Sequence, residues 1–166
     1  MNQNGYEIER KFLIRRPEEA WLEKNCQGSD IEQTYLKSEA AGCNERVRRR
    51  EGKDGVIYTH TIKRRLSDLR REEQEREVGE AEYCTLLQRA DPERRVIRKH
   101  RYVLAWQGKD FEIDIFPFWQ DKAFMEIELT EETEAVQLPP EIEIIKEVTG
   151  DRRYTNAALA KAIPAD

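Results

Sequence analysis

Glu7-Ile8-Glu9-Arg10-Lys11, just inside the N-terminus, is the stretch on which the fold turns. Read with the two-residue period of a strand, it places Glu7, Glu9, Lys11 and Leu13 on one face. Tyr6, Ile8, Phe12 and Ile14 take the other, with Arg10 the exception. One face is a row of acid, acid, base. The other is apolar and has to be covered by the rest of the chain. A single solvated strand shows the same alternation, so the weight rests on its recurrence.

It recurs along the whole sequence. After a short helix from Glu18 to about Asn25, opened by Pro17, and a Gly28-Ser29-Asp30 loop, Ile31–Lys37 reads as a strand with Gln33, Tyr35 and Lys37 on a common face. Ala40–Asn44 reads as a turn. Glu45–Glu51 puts Arg46, Arg48 and Arg50 on one side, and Gly52-Lys53-Asp54-Gly55 connects it to a returning strand with Thr61, Lys63 and Arg65 aligned. Glu72–Val78 carries Glu73, Glu75 and Glu77. Its composition equally suits a helix running from Arg64 to Glu77. A helix follows over Glu80–Ala90, and then come three further alternating segments. Lys99 and Arg101 stand against His100, Tyr102 and Leu104; Glu112 and Asp114 against Phe111, Ile113 and Ile115; Glu126 and Glu128 against Met125, Ile127 and Leu129. A short helix over Glu131–Gln137, ended by Pro139-Pro140, and a final helix from Arg152 to Ile163 complete the reading. The expected chain is a single domain over residues 1–166.

Charged residues make up 38% of the 166 positions, against roughly 25% in an average domain, yet the net charge is only −5. So even a balance excludes a general nucleic-acid binder and an acidic tail. Nothing resembles a signal peptide or a membrane span, which points to the cytoplasm. Cys26, Cys43 and Cys84 lack metal-ligand spacing and read as reduced thiols. With only His60 and His100 present, any metal would be held by carboxylates, which favours Mg²⁺ or Mn²⁺ over Zn²⁺.

About eight charged-faced strands can be arranged in two ways. A β-sandwich would turn the charges to water and pack the apolar faces together. A closed antiparallel barrel would turn the charges inward and cover its apolar outside with helices. In the barrel, like charges two residues apart sit roughly 6–7 Å from each other and repel by about 2 kcal/mol per pair. The lumen then needs cations for its carboxylates and an anion for its arginines and lysines. A divalent metal bound together with a polyphosphate supplies both.

The motif Glu7-Ile8-Glu9-Arg10-Lys11 resembles the E-x-E-x-K signature of the CYTH proteins, the triphosphate tunnel metalloenzymes. Its companions follow in family order: Arg46-Val47-Arg48, Thr61-Ile62-Lys63, the acidic strand at Glu73/Glu75, Lys99-His100-Arg101-Tyr102, Glu112-Ile113-Asp114, Glu126-Ile127-Glu128 and Glu147 to Tyr154. The resemblance is nearest to the short single-domain bacterial inorganic triphosphatases. It implies an α+β, mainly antiparallel fold, closed into an eight-stranded triphosphate tunnel. It further implies metal ligands at Glu7, Glu9, Asp114, Glu126 and Glu128, and phosphate-binding residues at Lys11, Arg46, Arg48, Lys63, Lys99, Arg101 and Arg153. Catalytic roles would fall to Glu75, Lys11 and Asp114, with the choice among Glu73, Glu75 and Glu77 open. The implied activity is Mg²⁺- or Mn²⁺-dependent hydrolysis of inorganic triphosphate (tripolyphosphate). Thiamine triphosphatase and adenylate cyclase are the alternatives, and a non-catalytic polyphosphate-binding module is the alternative of another class. The partner expected is the small triphosphate itself, with no nucleic acid or membrane; a homodimer is compatible with this reading.

Overall fold

The structure, a computed structural model, describes residues 5–38 and 41–164. Its elements in chain order are β1 (Tyr6–Arg15), α1 (Glu19–Asn25), β2 (Gln27–Tyr35), β3 (Cys43–Gly52), β4 (Gly55–Arg65), β5 (Arg70–Val78), α2 (Glu80–Leu87), β6 (Ile97–Trp106), β7 (Lys109–Ile115), β8 (Lys122–Glu128) and β9 (Ile144–Glu147). A 3-10 turn over Arg152–Tyr154 and a last helical turn, α3 (Asn156–Leu159), follow. The strands form one antiparallel sheet in the order β5-β4-β3-β2-β6-β7-β8-β1-β9, and β5 also pairs with β1. That extra pairing closes eight strands into a barrel, with β9 outside the closure. Closure leaves no edge between β1 and β5 and sets an inside and an outside for every residue.

The seam is short. Tyr6, Glu7 and Ile8 face Glu72, Arg71 and Arg70, and backbone hydrogen bonds from Glu73 to Gly5 and from Glu9 to Leu69 flank them. Further along, the same edge of β1 is taken by β9, whose Glu147, Lys146 and Ile144 pair with Phe12, Leu13 and Ile14. On its other side β1 runs in register with β8, from Glu9 opposite Glu128 to Arg15 opposite Lys122.

Alternation sends the charges in and the apolar residues out. Ile8, Phe12 and Ile14, with Tyr102, Leu104, Phe111, Ile113, Met125 and Ile127, form an outer core under Leu22 of α1. Tyr83 of α2 packs on Val47 and Val78 in a second patch. The inward rows turn apolar towards one end, where Leu13, Ile97, Phe116 and Phe124 meet Trp119, Tyr154 and Leu159. Phe116, Phe124 and Trp119 pack edge-to-face, with centroids 5.0–5.7 Å apart.

Several expectations are corrected. Gly28-Ser29-Asp30 is strand, not loop, because it pairs with β6. A Cβ at Gly28 would sit 2.6 Å from His100 Nε2, so any larger residue would displace the His100 ring. The strand expected at Glu72–Val78 forms, and the alternative helix over 64–77 does not: β5 forms ladders on both flanks, and pairing overrides local propensity. No helix forms over Glu131–Gln137. The Glu134 carboxylate accepts from the Thr130 amide and hydroxyl and from Lys109, while Val136 and Leu138 lie extended on the outer core. The C-terminal helix breaks at Thr155, which is extended and accepts from the Ala158 amide through Oγ1 to cap a shorter helix. The turn expected at Ala40–Asn44 falls partly outside the described residues, and β3 already begins at Cys43. Among the described residues no helix is long and apolar enough to cross a membrane.

Candidate active site

The barrel encloses a cavity of about 970 Å³ lined largely by charged side chains. Each strand contributes alternate residues: Glu7, Glu9 and Lys11 from β1, Arg46, Arg48 and Arg50 from β3, Lys63 from β4, Glu73 and Glu75 from β5, Lys99 and Arg101 from β6, Glu112 from β7, Glu126 and Glu128 from β8. Of the three glutamates left open on β5, Glu73 and Glu75 line the cavity and Glu77 does not. Both histidines sit outside: His60 contacts Glu45 and His100 contacts Asp30.

Ion pairs hold much of the lining. Lys63 Nζ bridges Glu7 at 2.8 Å and Glu73 at 3.2 Å. Lys11 Nζ lies 3.1 Å from Glu126 and 4.1 Å above the centre of the Phe124 ring. Arg71 donates to Glu9 at 3.0 Å, and Arg101 pairs with Glu112. The Thr61 hydroxyl donates to Glu75 at 2.8 Å.

The acidic side is overcrowded. Burial pushes the Glu9 carboxyl up, to about 8, and Glu126 and Glu7 reinforce the rise against Lys63 and Arg71. Burial would raise Glu7 too, but Lys63 and a hydrogen bond from Glu73 hold it well below the carboxylate range, so the proton prefers Glu73. The basic side has the opposite excess. Burial and the neighbouring Arg46 and Arg101 lower the Arg48 guanidinium to about 10. The Nε atoms of Arg46 and Arg48 are buried with no hydrogen-bond partner. Buried cationic donors of this kind are the groups that pair with an anion.

Two expected site residues are placed otherwise. Asp114 is 1% exposed and lies within the wall, off the cavity surface. Its Oδ2 accepts from Lys99 at 2.8 Å and from Arg101 at 2.9 Å, and its Oδ1 from Arg101 Nε at 2.8 Å. Arg101 and Lys99 hold its carboxyl far below the usual range despite burial, so Asp114 serves here as the anchor of two cavity cations. Arg153 turns onto Asp151, and Arg152 is the residue that lines the cavity. The tight 3-10 turn, rather than a continuous helix, makes that exchange. Sequence reasoning assigned no role to Gln33, Arg71, Arg94 or Arg152. Arg71 was legible by stepping back two residues from Glu73, and Gln33 by its shared face with Tyr35. Arg94 and Arg152 lie in irregular segments with no period to read.

All donors on the acidic side are carboxylate oxygens, the set suited to Mg²⁺ or Mn²⁺. Among the described residues no three carboxylate, histidine or cysteine groups are gathered as a metal cage. Burial, reinforced by Glu126 and Glu7, drives Glu9 towards its neutral form, so these carboxylates crowd one another beyond what Lys63 and Arg71 relieve.

A closed barrel with a cationic wall facing an acidic one defines a protein that grips a compact polyanion. No family model matches the chain. A protein of Nitrosomonas europaea described as an inorganic triphosphatase is 30% identical over 159 residues, covering 95% of this chain and 99% of that one. The crystal structure of the inorganic triphosphatase NE1496 superposes with a TM-score of 0.58 at 29% identity, over 95% of this chain and 96% of the other. The PH1819 protein from Pyrococcus horikoshii shares the fold alone, with a TM-score of 0.57 at 17% identity over 76% of this chain and 80% of its own. The chain belongs to the triphosphate tunnel, or CYTH, family.

Proposed function

We propose that the protein hydrolyses inorganic triphosphate to pyrophosphate and phosphate, with Mg²⁺ or Mn²⁺ as its cofactor. The observation that carries this reading is the row of Arg46 and Arg48, whose buried Nε atoms have no partner, opposite crowded carboxylates in one cavity. The description of the Nitrosomonas relative supports it. The cavity lining argues for an inorganic substrate. Among the described lining residues Tyr35 is the only aromatic one, and it is 3% exposed beneath Arg94, whose guanidinium carbon lies 5.3 Å from the ring centre. Trp21 packs on the outer core. A thiamine or adenine ring finds no stacking surface there.

Arg46, Arg48, Lys63, Lys99, Arg101 and Lys11 bind the phosphoryl oxygens, joined at the cavity rim by Arg152. Their fixed charges stabilise the negative charge that builds on the leaving pyrophosphate. Glu7, Glu9, Glu126 and Glu128 would hold the metal, and a bound divalent cation would supply neutralisation of phosphate charge. Glu75, kept in place by the Thr61 hydroxyl, accepts the proton of the attacking water. Asp114 positions Lys99 and Arg101 and touches no substrate. The apolar end around Phe116 and Phe124 keeps the local dielectric low, which strengthens every charge interaction in the lumen.

The test is phosphate release from inorganic triphosphate, thiamine triphosphate, ATP and pyrophosphate, each with Mg²⁺, Mn²⁺ or EDTA, alongside Glu126→Gln. Metal-dependent release fastest from inorganic triphosphate and lost in the variant is the expected result. A cyclic nucleotide from ATP would make the enzyme a cyclase, and tight triphosphate binding without release would make it a binding module.

A further inference from the structure

Gln33 lies on β2 between two cationic strands, opposite Arg48 of β3 and Ile97 of β6. It is 1% exposed and lines the cavity. Neither its Nε2 nor its Oε1 has a hydrogen-bond partner. Burying an amide with both ends unpaired is unfavourable, so a residue chosen for stability alone would be apolar here. Its neighbours explain why the position is polar yet uncharged. Arg46 and Arg48 occupy the adjacent strand, Lys99 and Arg101 the other. A further cation would add to a repulsion already visible at Arg48, and a carboxylate would repel the anion this wall is built for. An amide offers two N–H donors and no charge.

Resting on the triphosphatase reading, we propose that Gln33 is a substrate-binding residue whose Nε2 donates a hydrogen bond to a phosphoryl oxygen of the bound triphosphate. It is a neutral, directional contact within a set of cations. Lys attracts the polyanion as a point charge and Arg clamps oxygens through its planar fork, whereas the amide adds a single uncharged donor on β2. Its role is therefore positioning as much as affinity.

The experiment compares the full chain with Gln33→Met, which keeps length and volume without the amide, and Gln33→Glu, which keeps shape but replaces the donor. Readouts are inorganic triphosphate hydrolysis with Mg²⁺, triphosphate binding by calorimetry, and the Tm of the ligand-free protein. The expected result for Gln33→Met is a KM and Kd raised about 10- to 100-fold, as for loss of a hydrogen bond to a charged group, with Tm unchanged or higher. Gln33→Glu should lose more affinity than Gln33→Met, since it adds repulsion. An unchanged KM and Kd in Gln33→Met overturns the proposal. So does a drop of several degrees in its ligand-free Tm, which would make the amide a structural partner. A wild-type protein that neither binds nor hydrolyses triphosphate sinks the underlying reading instead, and is told apart because it fails before any variant is made.

Discussion

Arg48→Met should stabilise the ligand-free protein while weakening its hold on triphosphate. In the fold, burial and the guanidinium groups of Arg46, Arg101 and Arg50 bring Arg48 from 12.5 down to about 10. Below pH 9 the group is charged both folded and unfolded, so the lowered value is a constant penalty on folding. At about 1.4 kcal/mol per tenfold change in proton affinity, that penalty is at most about 3 kcal/mol. Methionine removes the charge but fills the space incompletely, so a net gain of about 1–2 kcal/mol is expected. For a chain of this length that is a Tm raised by about 2–8 °C. With substrate the sign reverses. Losing a guanidinium that contacts phosphate costs about 1.5–3 kcal/mol, or roughly 10- to 150-fold in Kd. Thermal melts in a chloride buffer free of phosphate and sulfate, with and without inorganic triphosphate, measure both halves. A lower Tm for the free variant together with an unchanged triphosphate-induced shift would refute the reasoning, because Arg48 would then be a structural residue.

Glu9 gives a prediction in pH. Its carboxyl is raised from 4.5 to about 8, chiefly by burial and by Glu126, so the fold prefers it protonated. Its contribution is fully present below pH 4.5 and is lost as pH rises through about 8. In EDTA, Glu9→Gln should therefore gain Tm over the wild type progressively between pH 5 and 9; parallel curves would contradict this. Asp114→Asn should lower Tm by about 6–20 °C, since it strands the buried Lys99 and Arg101 without their shared anion. The Mg²⁺ concentration giving half-maximal rate should not change in the protein that remains folded. A large rise in that concentration at constant Tm would return Asp114 to the metal site.

Side-chain parity was legible because it depends only on a strand's own residues. Glu7/Glu9, Arg46/Arg48, Lys99/Arg101 and Glu126/Glu128 each point inward for a reason contained in three consecutive positions. Depth along the barrel axis was not legible, because it depends on the register between strands. Asp114 has the parity of a lumen residue, but β6 places it beside Arg101 and next to Lys99, and the two cations consume its oxygens. Phe116 and Phe124 also have inward parity and form the apolar end. Arg152 and Arg153 could be separated only by knowing that Thr155 breaks the helix. The strand at Glu72–Val78 was legible only through its partners, since its own composition suits a helix.

Barrel closure and site chemistry share the same groups. Among the described residues β1 and β5 are joined by three residue pairs, and Arg71–Glu9 and Lys63–Glu7 contacts cross the same region from inside. In the free protein Lys63 neutralises Glu7, while crowding holds Glu9 towards its protonated form beside Arg71. A bound triphosphate competes for Lys63 and its neighbours, which leaves Glu7 and Glu9 short of positive charge. Under the proposed function a divalent cation makes up that deficit, so each ligand raises the affinity for the other, and by the same factor. Anion alone would leave a surplus of buried carboxylate charge, and metal alone would strand the arginines of β3. Under that reading the charge balance of the lumen favours the two binding together over either binding alone.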